Sequence, residues 1–158
     1  MSTIRAAAAM AVVLIFAAGA AARDAELWRQ VEVIRTAHGV PHIRAENLRA
    51  AGYALACMML EDYGRIAASD LLESSGRWAS IDGYERIETD FAMLRFREKA
   101  LAKYPQLSKE VRDVYEGFAA GVNRYIERHP DEFPPAFAPM FTGYDVAARD
   151  MGGAGLTA

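Results

Sequence analysis

Three histidines, one cysteine and an adjacent pair of acids are the residues of this chain whose chemistry first invites a function. His38 and His42 bracket a turn, with no cysteine or clustered carboxylate at metal-ligand spacing beside them. They read as a turn histidine and a strand histidine. His129 closes a helical pattern, where a cationic ring complements the helix dipole. Glu61-Asp62 could serve as paired acid and base. Neighbours on a helix point about 100° apart, however, and do not converge on one atom. An ion pair from Glu61 to Arg65, four residues on, is the simpler expectation. Cys57-Met58-Met59, with Met93, offers soft ligands without a repeated Met-x-Met pattern, and reads as core packing. Ser69, Ser74, Ser75, Ser80 and Ser108 lack a G-x-S-x-G context. There is no Walker A sequence, no G-x-G-x-x-G and no H-E-x-x-H. By motif, the chain carries no complete catalytic, substrate-binding or metal site.

Composition narrows the class. The 158 residues suit one domain or one piece of a larger one. A charged fraction of 25% excludes a polytopic membrane protein, and an apolar fraction of 53% excludes a wholly disordered chain. A net charge of −3, with no Lys/Arg block, argues against a nucleic-acid partner. A single cysteine closes no internal disulfide.

The elements that would position these groups follow from periodicity. Val31-Glu32-Val33-Ile34-Arg35 and Val40-Pro41-His42-Ile43-Arg44 flank Gly39 as a β-hairpin, with Pro41 at a strand edge or end. Asn47 is an N-cap for a helix running to Ser75, with Gly76 beyond its end and a break near Gly64. Thr89 or Asp90 caps a second helix through Lys103, stopped by Pro105. Ser108 caps a third, with Glu110 in its first turn. Val111, Val114, Tyr115, Phe118, Val122, Tyr125 and Ile126 form one apolar stripe along it, and Pro130 ends it. Gly117 and Gly121, one turn apart, make sense if another backbone approaches closely there. From Pro130 to Tyr144, prolines alternate with Phe133, Phe137 and Phe141. This segment is expected to be extended and to lie across a surface that shields the rings, of which the chain itself offers little. Residues 151–158 are expected to form an unstructured Gly/Ala tail.

Residues 1–22 read as a secretory signal peptide: Arg5, a charge-free apolar run from Ala6 to Ala18, then small-x-small cleavage sites. An uncleaved anchor is the competing reading. The run falls short of the roughly 20 residues a spanning helix needs, so stable membrane insertion is not expected after cleavage. Export places the mature chain in a periplasm or outside the cell. Cleavage removes Arg5 and takes the net charge to −4.

These segments, in this order, resemble the opening of the penicillin acylase family, which includes acyl-homoserine lactone and cephalosporin acylases. Val31 to Ala45 resembles the family's I-x-R-D-x-x-G-V-P-H-I-x-A stretch. Tyr53 to Asp62 is similar to F-G-x-G-Y-A-x-A-E-D-R, keeping the acidic pair and the apolar rhythm. Both family glycines are alanine here and the closing arginine is Tyr63. Asp90-Phe91 with Arg95 resembles the D-x-x-x-R region. Leu107-Ser108 and Tyr115 to Ile126 resemble L-S-P-E…L-x-A-Y-A-x-G-V-N-x-Y-I, and Phe141 to Val146 resembles F-x-P-x-D-V.

The resemblance implies an α+β fold: a mostly helical fragment with an N-terminal β-hairpin, belonging to an αββα N-terminal-nucleophile hydrolase. Residues 23–150 would be its α-chain-like region. The partner implied is the β-chain of the same precursor, whose N-terminal serine attacks the amide carbonyl with its own α-amino group as base. The substrates implied are small N-acyl amides, such as β-lactam antibiotics or acyl-homoserine lactones. None of the serines here precedes an asparagine, as the family's nucleophile does. No catalytic, substrate or metal residue is therefore carried over; no cofactor is expected in this chain, and the resemblance allows calcium only in the complete enzyme. Gly39, Pro41, Glu61, Asp62, Gly121 and Asn123 are matched positions with structural roles. A self-sufficient secreted helical module, binding a partner through its Pro/aromatic C-terminal segment, is the alternative.

Overall fold

The computed structural model describes residues 26–138 and 140–155; the expected leader, residues 1–22, lies outside them, as do residues 156–158 of the expected tail. A 3-10 turn, Leu27–Gln30, leads into strand β1, Val31–Arg35, which pairs antiparallel with β2, Pro41–Ala45. Val31 faces Ala45 and Arg35 faces Pro41, so the proline opens its strand, where a missing N–H costs the ladder least. Asn47 then caps helix α1, Leu48–Tyr63, its Oδ1 accepting from the Ala50 N–H at 2.9 Å. Its amide donates back to Gln30 Oε1 at 2.6 Å, tying the helix start to the entry turn.

The helical run breaks at Gly64, whose φ of 57° lies in the left-handed region that favours glycine. Helix α2, Arg65–Ser74, and a short α3, Ala79–Asp82, follow. Helix α4 spans Ile87–Lys103 and so begins before either expected cap. Asp90 is a cap, but not of its own helix: its carboxylate accepts the N–H groups of Trp78 and Ala79, both at 2.8 Å, at the start of α3. That pairing joins residues far apart in the turn pattern, which local spacing does not encode. Ser108 caps α5, Lys109–Arg128, as expected, its Oγ accepting from the Val111 N–H at 3.3 Å.

The fold centres on the crossing of α1 and α5, and glycine makes that crossing possible. A Cβ on Gly117 would stand 1.9 Å from the Arg49 carbonyl oxygen, one on Gly121 2.4 Å from that of Tyr53, and one on Gly52 2.3 Å from that of Val114. The two backbones touch where side chains are absent. Beside this seam, Leu60, Leu71, Leu72, Phe118, Val122 and Ile126 form the main core. Val111, at the start of the predicted stripe, is exposed instead.

Two expectations about the C-terminal segment are corrected. Phe133, Phe137 and Phe141 are buried in this chain's own core, where 3-10 turns at Pro130–Glu132 and Pro135–Phe137 bring them down onto α2 and α5. Phe137 stands edge-on to Phe133, with centroids 5.7 Å apart. Full burial of such a ring contributes about 1.5–3 kcal/mol, enough to hold an otherwise irregular segment. The chain then forms helix α6, Gly143–Gly155, running into the segment expected to be an unstructured tail. Its start is set by Asp145, whose carboxylate accepts from both the N–H and the hydroxyl of Thr142 at 2.8 Å. Val146, Ala147 and Ala148 are buried beneath it and offset the poor helix propensity of the glycines beyond.

Candidate functional site

Three of the residues that the family-like stretches single out, Gly39, Glu61 and Asp62, meet at Arg35. From the end of β1 its guanidinium donates to the Gly39 carbonyl at 2.8 Å and lies 2.8 Å from Asp62 and 3.2 Å from Glu61. The two acids, chiefly Asp62, hold the guanidinium more firmly protonated than usual. The two carboxylates were expected to diverge, with Glu61 turned to Arg65. They converge instead on one fork. The physical reason is Gly64: its non-helical backbone interrupts the helix between positions 61 and 65, so the i, i+4 geometry an Arg65 pair requires is lost. This cluster fastens the hairpin to α1 and leaves neither acid free.

A second set of polar contacts fastens the far end. Asn123 on α5 makes a paired contact with the Phe141 backbone, donating to its carbonyl at 2.8 Å and accepting its N–H at 2.9 Å. Asp145, buried, takes the Arg97 guanidinium at 3.0 Å, and the Tyr104 hydroxyl donates to Glu116 at 2.7 Å. Asp145 is the acid of the F-x-P-x-D-V-like stretch, whereas no motif points to a role for Arg97 or Glu116. Thr142-x-x-Asp145 also has the spacing of a reciprocal helix cap.

Four serine hydroxyls donate to nearby backbone carbonyls. Ser69 donates to the Arg65 carbonyl at 3.0 Å, Ser74 to Leu71 at 3.0 Å, Ser75 to Leu72 at 2.7 Å and Ser80 to Arg77 at 2.6 Å. Burial pushes the Cys57 thiol up to about 11 and the Tyr53 hydroxyl up to about 12, so Cys57 is a neutral thiol at ordinary pH. The His129 ring contacts the Tyr125 carbonyl at 2.8 Å, at the helix end. Among the described residues no group of three or more His, Cys, Asp or Glu could hold a metal ion.

Several large apolar side chains remain exposed. Along α4, Ile87, Phe91, Leu94 and Leu101 are exposed at helical spacing, with Tyr84 just before them. Tyr63 and Ile66, flanking the break between α1 and α2, and Ile34 and Val40, in the hairpin, are exposed as well. Phe91 is 64% and Ile66 75% accessible; single exposed apolar residues are ordinary, but a row of them along one helix is not.

Comparison with known proteins decides the family. The sequence model described as penicillin amidase matches residues 30–149, from the residue before β1 into α6. The chain belongs to the penicillin amidase family. Among its curated relatives it is 29% identical to the acyl-homoserine lactone acylase PvdQ of Pseudomonas fluorescens over 130 residues, which are 76% of this chain and 17% of that protein. It is 31% identical to the acyl-homoserine lactone acylase QuiP of another Pseudomonas fluorescens strain over 115 residues, 71% of this chain and 14% of that protein. The chain thus spans less than a fifth of the length of these penicillin amidase relatives. The thermostable penicillin G acylase from Alcaligenes faecalis has the same fold over 78% of this chain and 71% of the matched chain, with a TM-score of 0.63 and 24% identity. The mostly helical architecture with a two-stranded N-terminal hairpin is therefore a fold of the penicillin amidase family. Within it, Gly39, Glu61 and Asp62 share Arg35, Gly121 opens the helix crossing, and Asn123 straps Phe141.

Proposed function

We propose that residues 23–150 are the α-chain-like portion of an exported acylase that hydrolyses the linear amide bond of small N-acyl substrates, with acyl-homoserine lactones and β-lactam antibiotics as the two candidate classes. In this reading residues 1–22 are the signal peptide and the protein works in the periplasm or outside the cell. The nucleophile sits on a larger β-chain of the same precursor, whose hydroxyl adds to the substrate carbonyl, releases the amine and is freed again by water. This portion supplies packing and carries no catalytic residue. Among the described residues, no helix is long and apolar enough to cross a membrane.

One observation carries the reading. A chain that matches its acylase relatives over less than a fifth of their length leaves rows of large apolar residues exposed, including Phe91, Ile66 and Ile34. Such rows suit a unit covered by a partner. The alternative, a stand-alone module binding through its Pro/aromatic segment, loses its basis because Phe133, Phe137 and Phe141 are already buried internally. The test is to express the chain with the larger chain of a family acylase and isolate it by an affinity tag. A stoichiometric complex that removes dye binding to exposed apolar surface is expected. Failure to associate, with the chain monomeric and free of dye binding, would overturn the proposal.

A further inference from the structure

One cleft lies apart from the polar clusters that fasten the fold. It has a volume of about 340 Å³ and is lined by Trp28, Tyr53, Cys57, Arg124, Tyr125, Arg128 and His129. Its walls are rings: Trp28 from the entry turn, Tyr53 from α1, and Tyr125 from α5, stacked on His129 with centroids 4.0 Å apart. Its charge is positive. Arg124 shares one acid, Glu127, at 3.1 Å, while Arg128 has no acid partner among the described residues. Glu61, which is held by Arg35, also acts on Cys57 and Tyr125, and Glu132 acts on Tyr125. Both guanidinium charges also act on the Tyr53 hydroxyl, which places them at the same cleft.

We propose that this cleft binds a small carboxylate with a planar apolar body. A guanidinium fork matches the two oxygens of a carboxylate, and the aromatic walls take the apolar part. The volume of about 340 Å³ stands at the small end of ligand sites and accommodates an aryl carboxylate. The Cys57 thiol contributes surface only, because burial keeps it neutral. This site is independent of the acylase reading and asks nothing of a second chain.

The test is titration of the full chain with benzoate, followed by NMR at the Trp28 indole N–H, identified by its loss in Trp28→Phe. Benzamide serves as the neutral isostere and inorganic phosphate as the bare anion. Benzoate is expected to shift the Trp28 signal saturably, with benzamide and phosphate at least about tenfold weaker. Arg128→Gln, at an exposed helix end, is expected to weaken benzoate by about tenfold with an unchanged circular dichroism spectrum. No saturable shift, equal binding of benzamide, equal binding of phosphate, or unaltered benzoate binding by a folded Arg128→Gln would each overturn the assignment.

Discussion

Gly117 and the Arg49 carbonyl oxygen are so close that a methyl group on the glycine would stand 1.9 Å from that oxygen. Alanine ordinarily stabilises a helix interior by about 1 kcal/mol over glycine. Here the sign reverses. Gly117→Ala is expected to destabilise the chain by at least about 2 kcal/mol, because α1 and α5 must separate to admit the methyl. Urea midpoints at constant slope measure it, and a gain in stability would contradict the described crossing.

Asn123 predicts a different kind of loss. It holds the Phe141 backbone at both its N–H and its carbonyl. Asn123→Ala is expected to cost about 2–4 kcal/mol, since two backbone groups lose their partners. The segment from Pro130 to Phe141 should become the first site of limited proteolysis. Asn123→Asp, which keeps the acceptor and loses the donor, should fall between.

Asp90 acts across a turn. Asp90→Ala is expected to cost about 1–2 kcal/mol and to abolish hydrogen-exchange protection at the Trp78 and Ala79 amides, while amides in the middle of α5 follow global stability. Loss of protection at the start of α4 instead would mean that Asp90 caps its own helix.

The pH dependence follows from Cys57. Its thiol, ordinarily near 9, is raised to about 11 by burial. A group whose pKa is higher in the folded state contributes stability below the unfolded value and loses it as pH climbs through the folded one. The chain should therefore weaken between about pH 9 and pH 11, and Cys57→Ala should flatten part of that slope. Tyr53, raised to about 12, extends the decline upward. Identical slopes for the wild type and Cys57→Ala would contradict the burial of the thiol.

What could be read from the residues alone divides along a physical line. The caps at Asn47 and Ser108, the break at Gly64 and the glycine pair at 117 and 121 depend on one turn of backbone, and each stands where local pattern placed it. Interactions across the fold were invisible. Arg35 meets Glu61 and Asp62 from another element, Asp90 caps a helix that ends before its own begins, and Phe137 finds its pocket among α2 and α5. Helix α6 was missed because its glycines conceal it, and only Thr142-x-x-Asp145 marked its start. The family resemblance rested on five short stretches in order. They lie within the match over residues 30–149, and three of their positions are joined by Arg35.

The most direct test of the proposed role measures hydrolysis of an N-acyl-homoserine lactone and of a phenylacetyl amide. The chain is assayed alone and after co-expression with the larger chain of a family acylase that lacks its own counterpart of residues 30–149. The expected result is no turnover by the chain alone and release of the free amine by the assembled pair. Turnover by the chain alone, or a well-formed pair that hydrolyses neither compound while the native acylase hydrolyses one, would contradict it.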